Sequence, residues 1–254
     1  MGLLQMFSLI LSSPPVPTSE DEQVEQVMRL INVLRDFDPA VYPAFEQASS
    51  KKKAIAFDYS ADRVRELIRK NVNREGRTVF PHLGSEFGFF SSMSDDLMAG
   101  ISFSVGATKW PGRNSFILQF PKKPSILRQE PPFTAQRVWD LFVRCTKAFG
   151  RPQQGRVMNS VNIRRFSAIR LSPDDLRPKT VEWINYFGPV VVDAIGRTRV
   201  ESLPNVCPNV YLEEFEGGVF LRLLNVPLDD ANPEHLEQQR EVNRHLGLLG
   251  ASVI

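Results

Sequence analysis

Residues 83 to 121, LGSEFGFFSSMSDDLMAGISFSVGATKWPGRNSFILQFP, constrain the fold of this chain more than any other stretch. Ile101, Phe103 and Val105 alternate with Ser102, Ser104 and Gly106, the period of two that gives a strand one buried and one wet side. Upstream, 86 to 91 carries aromatic residues on both faces (Phe87, Phe89, Phe90), and downstream 115 to 120 is nearly all apolar, as a central strand is. Ser94-Asp95-Asp96 and Trp110-Pro111-Gly112 supply the turns between them. Connections this short join antiparallel neighbours, so the stretch predicts a meander.

The rest of the chain alternates in the same style. Residues 6 to 11 form an apolar run that predicts a first strand; it has no Lys or Arg before it and no small-residue cleavage site, which argues against a secretion signal. Pro14, Pro15 and Pro17 then break the chain. Thr18 or Ser19 caps a helix whose first turn holds Glu20, Asp21 and Glu22 and whose apolar face is Val24, Val27, Met28, Ile31 and Leu34. Lys51 to Lys53 reads as solvated loop. Ser60 caps a shorter helix over 61 to 71. A linker rich in Pro and Lys, 121 to 132, leads to a helix from Thr134 with the stripe Val138, Leu141, Phe142, Cys145 and Phe149. The segment 156 to 171 is ambiguous, strand-like at Ile163, Phe166 and Ile169 but crowded with Arg156, Arg164, Arg165 and Arg170. Residues 180 to 195 read as a helix interrupted at Gly188-Pro189, 210 to 224 as a hairpin about Gly217-Gly218, and Asn232-Pro233 as the start of a terminal helix.

Runs of strands beside runs of helices predict an α+β class: a mainly antiparallel sheet, meander plus hairpin, packed with several helices. The expectation is one unit over residues 1–254; the linker at 121–132 or the region near Pro173 is where two lobes would divide. With 42% hydrophobic and 24% charged residues and a net charge of +2, composition is that of an ordinary globular chain and too weakly basic to mark a nucleic-acid binder. No run is long enough to span a bilayer. The two cysteines, Cys145 and Cys207, argue against a disulfide framework and for a reducing, cytoplasmic setting.

No reactive constellation stands out. The three histidines, His82, His235 and His245, lack the paired short spacings of a metal site, and there is no G-x-S-x-G elbow or phosphate-cradling glycine loop. The expectation is therefore no catalytic, cofactor or metal site, and a protein that presents a surface. Candidate contact residues are the meander turns, Asp95, Asp96 and Trp110, and the acids of the hairpin, Glu213, Glu214 and Glu216.

Several stretches resemble the immunity protein 52 family of polymorphic-toxin and type VI secretion systems: LINVLRDFDPAVYPAF (30–45), LGSEFGFF (83–90) and GISFSVGATKWPGRNSFILQFP (100–121). WINYFGPVV (183–191) and the run from 216 to 250 are similar to the closing part of this and related type VI immunity families. The likeness lies in the order and spacing of soft motifs, since the family carries no catalytic signature. It implies a cytoplasmic protein that binds and neutralises a cognate effector toxin, typically a nuclease with a restriction-endonuclease-like fold, with no direct contact to nucleic acid or membrane. An inhibitor mimicking a phosphate backbone would be acidic. At +2, this chain either clusters its acids or packs over the toxin's docking face. An adaptor that escorts a secreted effector, or an enzyme that reverses toxin damage, are the other roles left open.

Overall fold

The computed structural model describes residues 6–48, 51–167, 169 and 175–253. In chain order the elements are β1 (Phe7–Ser13), α1 (Glu20–Phe37), β2 (Phe45–Glu46), α2 (Ala61–Lys70), β3 (Arg74–Glu75), β4 (Thr78–Val79), β5 (Ser85–Phe90), β6 (Gly100–Val105), β7 (Asn114–Gln119), α3 (Ala135–Phe149), β8 (Gln154–Asn159), α4 (Ser160–Arg165), β9 (Ile184–Phe187), α5 (Pro189–Ile195), α6 (Arg197–Glu201), α7 (Leu203–Val206), β10 (Tyr211–Phe215), β11 (Gly218–Arg222) and α8 (Pro233–Leu246). The class is α+β, as the alternation of patterns predicts, and the strand pairs of the meander and of the hairpin are antiparallel. Chain contacts divide the fold into two compact units: Leu9–Ser125 with Asp140–Pro152, and Met1–Ser8 with Ile126–Trp139 and Gln153–Ile254.

In the first unit the lateral strand order is β1, β7, β6, β5, β2. The meander forms as its alternation dictates: Phe87 lies opposite Phe103 and Phe103 opposite Phe116. Their rings make rungs with centroids 5.6 and 5.3 Å apart, and Phe89 adds edge-on contact to Phe103 at 6.0 Å. Each such pair adds about 0.5–1.5 kcal/mol to the burial of its rings. Small or polar residues, among them Gly88, Ser102, Ser104 and Ser115, take most of the outward positions. Helix α1 begins with a full capping box, Ser19 accepting from the Glu22 amide while Glu22 accepts from the Ser19 amide at 2.7 Å. Its buried stripe is Val24, Val27, Leu30, Ile31 and Leu34; Leu30, three after Val27 and four before Leu34, lies on it, whereas the expected Met28 falls at its margin and is half-buried. Exposed ion pairs from Arg65 and Arg69 to Glu20 and Asp21 link α2 to α1. The lysines expected in a loop form a short 3-10 turn, Lys51–Lys53, with Lys52 and Lys53 exposed.

In the second unit the order is β10, β11, β9, β8. Two expectations are corrected here. The segment read as an interrupted helix is strand β9 followed by helix α5, and Pro189 opens the helix at a position where its missing N–H costs nothing. The ambiguous arginine-rich segment resolves into β8 and the short helix α4, capped by Asn159; Arg170 and the region near Pro173 lie outside the described residues. The hairpin and the terminal helix are where the turn and cap residues place them. Glu216 and Gly217 both have positive φ, 49° and 77°, the requirement of a two-residue hairpin turn. Asn232 caps α8, and Gly247 ends it in the left-handed conformation.

Candidate partner-binding surfaces

The first unit offers the outer face of the meander. Glu86, Gly88, Ser102, Ser104 and Ile117 floor an open groove of 570 Å³. Gly88, Ser102 and Ser104 keep its middle shallow, and Gln47, Leu67 and Asn71 also line it. A groove of 230 Å³ over Glu86, Ser104 and Ser115 is walled by Asn73, Pro111 and Arg113. Trp110 stands in the turn beside it with 68% of its surface exposed, and the Arg113 guanidinium lies 5.1 Å from its ring centroid. The turn's base is fixed: Asn114 accepts from the Ala107 amide at 2.9 Å, and the His82 carbonyl accepts from the Thr108 amide at 2.9 Å. Gly84, φ 76°, lets the backbone approach, since a Cβ there would lie 2.2 Å from the Val105 oxygen. A held loop with an exposed tryptophan and a stacked arginine has the composition of an interface anchor.

Asp95 and Asp96 are exposed in the turn that enters β6, whereas Trp110 follows its end. The strand's six residues separate them by roughly 20 Å. Asp96 is 3.3 Å from the Lys123 ammonium, so its charge is partly answered within the protein. The meander turns are thus two separate places.

In the second unit, alternation along β10 puts Glu213 on one face with Tyr211 and Phe215, and Glu214 on the other with Leu212. The Tyr211 hydroxyl donates to Glu213 at 3.3 Å; Glu214 and Glu216 are exposed, Glu216 in the turn. Sequence reading missed what stands next to these acids. Arg222, opposite Tyr211, places its guanidinium 5.3 Å from the Tyr211 ring and 5.3 Å from the Trp139 ring, and its buried Nε has no hydrogen-bond partner. The Trp-x-x-Arg spacing at 110–113 is a signal that could have found Arg113; for Arg222 the signal is its register with Tyr211 across the hairpin.

Three titratable groups of the second unit have structural partners. His245 Nε2 lies 2.9 Å from the Arg199 carbonyl and 3.0 Å from Ser202 Oγ, which itself donates to the Arg199 carbonyl at 3.1 Å. A ring nitrogen that donates to a carbonyl carries its proton, so it is not an acceptor for the serine. His235 Nδ1 accepts from the Asp229 amide at 3.1 Å. Glu182 is buried, accepts from Asn162 Nδ2 at 2.8 Å, and is pushed up to about 7 by burial against the opposing pull of Arg156. Among the described residues no group of three or more His, Cys, Asp or Glu side chains is placed to hold a metal ion. No helix among them is long and apolar enough to cross a membrane.

No protein-family model matches the chain, and no curated protein matches it. Among solved structures, the fold is similar to that of Pseudomonas aeruginosa T6SS protein PA0821, with a TM-score of 0.57 and 14% sequence identity over 96% of this chain and 72% of that one. The likeness at that identity is one of fold. The family resemblance drawn from the sequence stands at this coarser level, a fold shared with a T6SS protein.

Proposed function

We propose that this protein is an immunity protein of a type VI secretion system, which binds a cognate antibacterial toxin in the cytoplasm and blocks it. The observation that carries this reading is the fold shared with a T6SS protein along almost the whole chain. The ordered motifs that resemble the immunity protein 52 family give it its direction. The surfaces suit such a role. Trp110 with Arg113, and Tyr211 with Arg222, combine the residue types that dominate binding energy, and acids flank the second pair. An inhibitor must associate fast and release slowly; exposed charge serves the first demand and a buried aromatic anchor the second. We read the toxin as a nuclease on the strength of the family resemblance.

The test is co-purification with the product of the adjacent gene, followed by DNA and RNA degradation assays with and without this protein. Stoichiometric binding that abolishes degradation is expected. Binding that leaves degradation intact would replace immunity with the escort of a secreted effector. No binding would remove both. If Trp110 anchors the complex, Trp110→Ala weakens binding by about 10- to 100-fold and leaves the melting temperature unchanged.

A further inference from the structure

Strand β10 is the end strand of its ladder: among the described residues it pairs with β11 and with no other strand. The turn Glu216-Gly217 fixes which of its backbone groups are used. In a two-residue hairpin the residues flanking the turn exchange both hydrogen bonds, so Phe215 bonds Gly218, Glu213 bonds Phe220 and Tyr211 bonds Arg222. The N–H and C=O groups of Leu212 and Glu214 therefore point away from β11, along the open edge.

Exposed edges are normally blunted by proline, by charged side chains, lysine above all, or by a bulge. Strand β10 has no proline, lysine or bulge: its sequence is YLEEF, and all five residues pair in unbroken register. Its charges are all negative, Glu213 and Glu214 in the strand and Glu216 at the turn. That choice discriminates between occupants. A second copy of β10 would set glutamates against glutamates, which opposes self-pairing. A strand carrying Lys or Arg would meet opposite charge across the ladder. Tyr211, 44% exposed over the Arg222 guanidinium, adds an aromatic platform at the start of the edge.

We propose that β10 is a strand-addition site, which takes an extended, lysine- or arginine-bearing segment of a partner protein as the next strand of the sheet through the backbone groups of Leu212 and Glu214. Main-chain bonds supply the affinity and the acids select the partner. The identity of that partner as the toxin rests on the immunity reading; the edge itself does not.

The decisive variant is Leu212→Pro, which deletes an outward N–H and leaves the β10–β11 bonds in place; proline is tolerated on an edge in this orientation. Against the product of the adjacent gene, Leu212→Pro is expected to weaken binding about tenfold or more, and Glu213→Lys with Glu214→Lys at least as much, with unchanged melting temperatures. Amide exchange at Leu212 and Glu214 should slow in the complex. Equal binding by wild type and Leu212→Pro, or unchanged exchange at those amides, overturns the strand-addition site and leaves the immunity reading intact. If wild type does not bind that product at all, the immunity reading fails, and a synthetic peptide of alternating lysine and valine decides the edge alone. Slowed exchange at Leu212 and Glu214 with this peptide, and not with a glutamate–valine control, supports the site; no slowing, or equal slowing by both, overturns it. Should Leu212→Pro fail to fold, the double lysine variant and the exchange measurement on wild type carry the same decision.

Discussion

In the meander of the first unit, Phe87, Phe103 and Phe116 meet across three strands, buried and without a polar atom among their side chains. In the second unit, the chain entering β9 is equally buried and is held by side-chain amides. Asn243 accepts from the Val181 amide at 2.8 Å and donates to Thr180 Oγ1 at 2.9 Å; Gln239 donates to the Val181 carbonyl at 2.7 Å. Asn185 closes a loop with the Glu182 backbone, accepting at 2.8 Å and donating at 2.9 Å. The difference lies in tolerance. Apolar burial is non-directional and accepts a neighbour of similar volume, whereas the amides there satisfy buried backbone groups through directional bonds.

The comparison is broken most directly at its apolar end. Phe103→Ala, at the middle rung, is expected to destabilise the protein by about 3–5 kcal/mol, read by denaturant unfolding, and Phe103→Leu by clearly less. A Leu variant as damaging as Ala would mean that ring geometry, and not buried volume, sets the cost.

Glu182 gives the next largest effect, and it depends on pH. Burial raises its folded pKa to about 7 from an ordinary 4.5. Between those values the folded state holds a proton that the unfolded state has released. Stability from this group is therefore complete below pH about 4.5 and is lost as pH rises through about 7, by up to about 3 kcal/mol. Glu182→Gln keeps an acceptor for Asn162 and removes the slope, so the difference between the two unfolding curves should widen from pH 5 to pH 8, in the variant's favour. Parallel curves would show that Arg156 and Arg165, both of which pull against burial, hold the carboxylate charged in the folded protein.

These two regions also differ in what the sequence reveals. The aromatic rungs are written locally: an alternation of two, bounded by Asp95-Asp96 and Trp110-Pro111-Gly112, predicts each strand and its inner face. Capping residues likewise mark α1, α2 and α8, because a cap and its helix are neighbours in the chain. Residues 180 to 187 carry no such record. The apolar residues there suggest a helix, but the partners that draw out the backbone, Gln239 and Asn243, are about 60 residues away on α8. Of the candidate surface residues, Trp110 and Glu216 stand in turns that the sequence marks, and turns expose what they carry. Arg222 is not so marked, since its contact with Trp139 and Tyr211 needs the pairing of β10 with β11 and the placement of α3.

Asn243→Ala tests the polar end. It leaves the Val181 N–H buried without an acceptor, and the expected loss is about 1–3 kcal/mol. Asn243→Leu fills the volume and should recover little of it, the reverse of the behaviour at Phe103. Recovery by Leu would mean that packing alone holds α8 to this segment.

The smallest effect asks where polar side chains act in the first unit. There they work at the ends of elements, and the capping box of α1 is the clearest example: Ser19 satisfies the Glu22 amide, and Glu22 returns the bond. Both groups are exposed, so water can replace what a substitution removes. Ser19→Ala should therefore cost only about 1 kcal/mol, and Ser19→Asp should restore most of it, because an aspartate also accepts from the helix amides and suits the positive helix end. A loss as large as that of Asn243→Ala would place the cap among the buried groups. A loss near zero would mean that the apolar stripe from Val24 to Leu34 holds α1 without help from its first turn.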